Sequence, residues 1–312
     1  MPLHPQIQAA LKALAEAKLP ALESLSPEAA RAQMDAMSRA RGGEPTPVAR
    51  LEDRTIPGPV GDIPVRIYWP REGGGDGAVL YLHGGGHVIG SLDTHDKICR
   101  NLTVGSGAVV VSVDYRMGPE HRFPAAVDDS WAALQWLAAN AGDLGADPAR
   151  LGVAGDSAGG NLAAVLALMA RDAGGPAIRL QALIYPVADY SLQGASYAKY
   201  GKGYGVLTDD AMRWFQGYYL NDVKEAAERR ASPIRAESLK GVAPAHVVVA
   251  ECDVLHDDGA AYAEALKAAG VPTAFTRYDG MIHGFFGMAP DVDSAIAAQA
   301  EVSAALKAAL AG

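Results

Sequence analysis

The 312-residue sequence predicts an α/β fold, a mostly parallel central sheet with helices on both faces. Three observations carry the prediction. From residue 78 onward, short apolar segments alternate with longer helical stretches, the rhythm of repeated strand–helix–strand units. The apolar segments are nearly continuous, as in strands covered on both faces. One of them runs into the glycine-bracketed serine Gly155-Asp156-Ser157-Ala158-Gly159, and a helical segment follows at once.

The elements follow in order. Residues 5–18 and 27–41 look like helices, and Leu11, Leu14, Ala15 and Leu19 fall at helical spacing. Ser26 followed by Pro27 is an N-cap with proline at the first helical position. The stretch RGGEPTP breaks the pattern. Strands are expected at 50–56 and 63–69 around the turn PGPVGD, then at 78–82, 108–114, 151–154, 182–185, 246–250 and 273–278. Helices are expected at 93–103, 124–140, 158–172, 258–269 and about 291–310. Residues 189–232 interrupt the rhythm with YAKYGKGYG and an aromatic helix, DDAMRWFQGYYL, read as an insertion over the C-terminal edge of the sheet.

Composition narrows the function classes. The formal charge is −9, from 27 Lys and Arg against 36 Asp and Glu, a poor match for nucleic acid or an anionic membrane. The N-terminus lacks the pattern of a signal peptide, and no apolar run reaches membrane-spanning length. Cys99 and Cys252 fit no metal-ligand spacing and read as reduced, buried thiols, so a cytoplasmic location is expected.

A serine with glycines two residues to either side can occupy a sharp strand-to-helix turn and present its hydroxyl at the helix N-terminus. Serine is a weak nucleophile and needs a base with its orienting acid. Downstream, AHVVVAECDVLHDDG is a strand ending in Asp253, and YDGMIHGFF places His283 in a loop after the last strand. Both lie just past strand C-termini, where open α/β sheets place their sites. Asp257 and Asp258 remain alternatives for the acid, and Asp253 itself is an alternative N-cap.

A tetrahedral intermediate on Ser157 needs preorganised N–H donors. The loop His83-Gly84-Gly85-Gly86-His87 supplies them through Gly85 and Gly86, with Gly84 as the positional alternative, and Ala158 adds the donor after the nucleophile. The loop matches neither phosphate-binding glycine pattern, and His83 and His87 lack a third ligand at suitable spacing, so no metal or cofactor is expected. His83 is read as fixing the loop by hydrogen bonds, and Asp156 and Glu120 as loop-fixing residues. Cys252, next to Asp253, is expected to make activity sensitive to bulky thiol reagents.

With these motifs in hand, HGGGHVIGSLDTHD, VSVDYRMGPEHRFPAAVDD, GDSAGG, DVLHDDG and HGFF, the chain from about residue 51 onward resembles the bacterial hormone-sensitive-lipase-like esterases, α/β-hydrolases with a helical cap. The resemblance implies a Ser157, Asp253 and His283 triad and oxyanion donors at Gly85, Gly86 and Ala158. It also implies a cap built from residues 1–48 and 189–232 over a core of 49–188 and 233–312. There are departures. His87 stands where the family usually has a large apolar residue, often Phe; Val254 and His256 stand where Pro and Arg are common; Met117-Gly118 replaces Leu-Ala.

The expected activity is hydrolysis of small-molecule carboxylic esters with short to medium acyl chains. Tyr197, Tyr200, Tyr204, Trp214, Phe215, Tyr218 and Tyr219 supply aromatic area, at least half of it as the cap's own core. His87, Tyr185, Tyr204, Trp214 and Phe215 are the residues expected in the substrate pocket. A ligand receptor on the same fold is the competing class, disfavoured because His283 is retained; an amidase or peptidase is the third. A homodimer through an exposed edge strand near 273–278 is plausible on pattern alone.

Overall fold

The computed structural model describes residues 3–40, 43–202 and 206–311. Eight strands form one sheet in the order β1-β2-β4-β3-β5-β6-β7-β8. The strands are β1 (Arg50–Pro57), β2 (Asp62–Trp69), β3 (Ala78–Leu82), β4 (Val109–Val113), β5 (Leu151–Asp156), β6 (Ile178–Ile184), β7 (Ala245–Cys252) and β8 (Thr273–Ile282). β1 pairs with β2, and β2 with β4, antiparallel; every other pairing is parallel. The helices are α1 (Pro5–Glu16), α2 (Pro27–Ala40), α3 (Asp96–Ser106), α4 (Ala125–Asn140), α5 (Ala158–Ala173), α6 (Ala195–Tyr200), α7 (Asp209–Tyr219), α8 (His256–Ala268) and α9 (Asp293–Leu310).

Every residue of β3, β4, β5 and β7 is buried, which is why these segments read as continuous apolar runs. α3 packs on α9, and α4 on α5, so both sheet faces are covered. α5 is buried from Ala158 to Leu168, the price of lying at the centre of the molecule with small residues in its first turn.

Several boundaries differ from expectation. β5 continues to Asp156 and β7 to Cys252, which brings Ser157 and Asp253 directly to strand ends. α3 begins at Asp96, because Ser91 and Thr94 cap each other in a turn before it. Among the described residues, the 189–232 segment holds two α-helices, α6 and α7. Thr208 caps α7 by accepting from Ala211 N–H at 3.0 Å. Ser26 caps α2 as expected, accepting from Ala29 N–H at 3.2 Å.

The N-terminal helices meet the 189–232 segment. The Trp214 indole on α7 donates to Leu25 O at 3.2 Å, just before α2. β8 lies at the sheet edge, and His4 N–H donates to Gly280 O at its end. No helix among the described residues is long and apolar enough to cross a membrane.

Candidate active site

The turn between β5 and α5 is enforced by its glycines. Ser157 has φ +56° and ψ −117°, outside the ordinary regions for a residue with a side chain. A Cβ at Gly159 would lie 1.8 Å from Leu82 O, and one at Gly155 2.3 Å from Gly159 O. Only hydrogen fits at either position, so strand and helix can close on each other and force the serine forward.

His283 Nε2 lies 2.9 Å from Ser157 Oγ, and His283 Nδ1 lies 2.7 Å from Asp253 Oδ2. Asp253 is buried, and its other oxygen accepts from Leu255 N–H at 3.0 Å. The carboxylate therefore fixes which imidazole nitrogen carries hydrogen, leaving Nε2 to accept from the serine. The two rival acids are engaged elsewhere. Asp257 accepts from Ser196 N–H at 2.8 Å and lies 2.9 Å from His256 Nδ1. Asp258 Oδ2 accepts from the N–H groups of Ala188 and Asp189, both at 3.0 Å. Burial pushes the Asp258 carboxyl up to about 8, against the pull of those bonds.

The glycine loop has a left-handed run: φ is +117° at Gly85, +62° at Gly86 and +58° at His87. Among the described residues the N–H groups of Gly85, Gly86 and Ala158 donate to no acceptor. Gly84 N–H is spoken for, donating to Asp156 Oδ1 at 3.0 Å. Gly84 N–H is thus engaged as an anchor of the loop, while the Gly85 and Gly86 N–H groups stay unpartnered among the described residues. Asp156 Oδ1 also accepts from the Tyr81 hydroxyl at 2.7 Å and lies 3.4 Å from His95 Nε2. Burial would raise this carboxyl, but His95 and the hydrogen bonds outweigh it and hold it below the usual range.

His83 is buried with Nδ1 2.8 Å from Gly84 O and its ring stacked on Tyr115 at 4.3 Å. The Tyr115 hydroxyl donates to His83 O at 2.6 Å. Burial, and to a lesser degree His95, lowers His83 to about 4, so the ring is neutral through the neutral range. Glu120 is tied to Arg31 of α2, at 2.9 and 2.7 Å. Tyr81, His95, Tyr115 and Arg31 escaped sequence reading because each reaches the loop from a different element; only the His95-Asp96 pair within SLDTHD offered a signal.

A cavity of about 520 Å³ opens over Ser157 and His283, between the glycine loop, α2, α7 and the loop after His283. Tyr185 and Phe215 line it. Tyr185 has φ +34°, and its ring centroid lies 4.6 Å from that of His283. Two expected pocket residues are not on the wall. His87 is turned by its left-handed φ into the protein, fully buried and stacked on Tyr219 at 3.9 Å. Burial lowers it to about 3, so it brings no charge near the cavity. Trp214 lies one residue before Phe215 and so about 100° round the helix, facing Leu25. Tyr204 lies outside the described residues. Cys252 is buried, which raises its thiol pKa and shields it from bulky reagents, against the expectation of thiol sensitivity.

The family model of the α/β hydrolase fold matches residues 79–287, the span that holds the glycine loop, the serine turn, Asp253 and His283. The chain belongs to the α/β-hydrolase family. Within it, the chain is similar to carboxylesterase NlhH of Mycobacterium tuberculosis, 45% identical over 85% of this chain and 84% of that one. It is also similar to an ethyl acetate hydrolase of Pseudomonas putida, 38% identical over 95% of both. The hyperthermophilic esterase of Pyrobaculum calidifontis superposes with a TM-score of 0.93, at 43% identity over the whole of both chains. The resemblance to hormone-sensitive-lipase-like esterases read from the motifs stands with these α/β-hydrolases.

Proposed function

We propose that this α/β-hydrolase is a serine carboxylesterase in which Ser157, His283 and Asp253 form the triad. The observation that carries the reading is the unbroken chain from Ser157 Oγ through His283 to Asp253, at 2.9 and 2.7 Å. Ser157 Oγ attacks the ester carbonyl and passes its proton to His283 Nε2. The carbonyl electron pair moves to oxygen, and the N–H groups of Gly85, Gly86 and Ala158 hold that charge. As the intermediate collapses, His283 protonates the departing alcohol. Water then attacks the acyl-serine with His283 again as base, releasing the acid and restoring the serine. Asp253 stabilises the imidazolium formed in each half.

Residues 1–48 and 189–232 act as the cap in this reading. Leu22, Met34, Leu207 and Phe215 bring apolar side chains from both parts to the cavity. A cavity of about 520 Å³ suits a small ester with a short to medium acyl chain rather than a long-chain triglyceride. Labelling with an aryl phosphonate, followed by peptide mass spectrometry, tests the nucleophile. A single adduct on the peptide holding Ser157, blocked by a competing short-chain ester, is expected. An adduct on another residue would reject the assignment.

A further inference from the structure

The Arg31 guanidinium leaves α2 and joins two loops of the sheet domain. Its Nε donates to Val88 O at 2.8 Å, and Nη2 donates to Gly118 O at 2.8 Å. The remaining donors pair with both oxygens of Glu120. Val88 is two residues past Gly86, and its own N–H, with that of Ile89, closes back on Gly85 O at 3.0 and 2.9 Å. Gly118 N–H donates to His87 O at 2.8 Å. Arg31 thus closes a ring of bonds around the segment that holds the unpartnered Gly85 and Gly86 N–H groups. The next turn of the same helix brings Met34 and Met37 to the cavity wall.

We infer that Arg31 is a positioning residue for the oxyanion loop, coupling the N-terminal helix that lines the cavity to the donors that hold the transition-state charge. The inference rests on the esterase reading above. Val88 O follows three successive left-handed residues, and Gly118, whose carbonyl Arg31 also binds, donates to the last of them, His87; such a conformation needs support from outside itself. An Arg fork can hold two carbonyls and a carboxylate at once; a lysine ammonium can reach only part of that set. The ion pair is half open to solvent, with the Arg31 side chain 30% and Glu120 53% exposed, so it adds little to global stability. Its effect belongs to catalysis.

The test compares wild type with Arg31→Ala, Arg31→Lys and Glu120→Gln, with rates expressed per serine titrated by an aryl phosphonate. The readouts are kcat and KM on a p-nitrophenyl ester, Tm, and the Ki of an alkyl trifluoromethyl ketone. That ketone adds Ser157 Oγ to its carbonyl carbon, sends the serine proton to His283 and leaves an oxyanion for the loop to bind. Arg31→Ala is expected to lose about 10- to 100-fold in kcat, the scale of a small misplacement of a preorganised group. Its KM stays close to wild type, and its ketone Ki weakens in step with kcat/KM. Arg31→Lys recovers part of the loss, and Glu120→Gln, which keeps both carbonyl bonds, loses less than Arg31→Ala. Unchanged kcat and ketone Ki in Arg31→Ala would overturn the inference. So would a fall in Tm with normal turnover per titrated serine. Either result leaves the esterase reading intact, since wild-type turnover and its loss in Ser157→Ala report on that separately.

Discussion

Asp258 and Asp253 are carboxyls five residues apart on and before the same helix, yet their surroundings assign them different work. Asp258 is buried, and its pKa of about 8 means that the folded protein holds a proton there which the unfolded chain, with an ordinary value near 3.8, has released. Folding therefore retains an extra proton between about pH 4 and 8, and stability falls as pH rises through that window. Asp258→Asn should flatten this dependence while keeping the fold, because Ala188 and Asp189 N–H both donate to a single oxygen that an amide can replace. Tm measured at pH 5 and pH 8.5 checks it: the gap between the two narrows in the variant. Asp253→Asn tests the other role. An amide there stabilises the wrong imidazole tautomer, and kcat is expected to fall about 10⁴-fold, whereas Asp257→Asn, whose partners are Ser196 and His256, should lose far less. Comparable losses in the two variants would remove Asp253 from the triad.

At the scale of elements, the glycine loop and α7 meet at Gly86 and Phe215. A Cβ on Gly86 would lie 2.2 Å from the Phe215 ring, and the backbone there has φ +62°. Gly86→Ala must therefore shift either the loop or α7. It is expected to lower kcat by about 10²-fold or more, with the ketone affinity falling alongside. Phe215→Ala acts from the other side. It removes a buried ring from the cavity wall, costs about 3–5 kcal/mol of stability as large-to-small core changes do, and should move the preferred acyl chain to greater length. A p-nitrophenyl ester series run well below the variant's Tm reads this directly; an unchanged optimum would place the acyl chain elsewhere in the cavity. The aromatic helix was visible in the sequence, but its rotation was not. Phe215 reaches the cavity and Trp214 does not, a difference set by packing of α7 on the chain around Leu25 rather than by composition.

Over the whole molecule, what the sequence made legible is what is local. The serine turn and the glycine run are each written in one short contiguous stretch, and so is each strand or helix of the alternation. Asp253 and His283 could be placed because parallel sheets put their functional groups at strand C-termini. The parts that stayed hidden depend on contacts across the chain. Arg31 meets Glu120 across 89 positions, and His95 approaches Asp156 across 61. His87 was misplaced because a left-handed φ reverses the direction that its position beside Gly86 suggests. Arg31 and His95 both reach the segments on either side of the cavity floor, the stretch after the glycine loop and the serine turn. The measurement that tests the account most directly is turnover of short-chain p-nitrophenyl esters by wild type and Ser157→Ala. The account predicts an active wild type and a loss of about 10⁶ in kcat for the variant, with the fold unchanged by circular dichroism. Substantial turnover by a folded Ser157→Ala, or a folded wild type inert across the ester series, would contradict it.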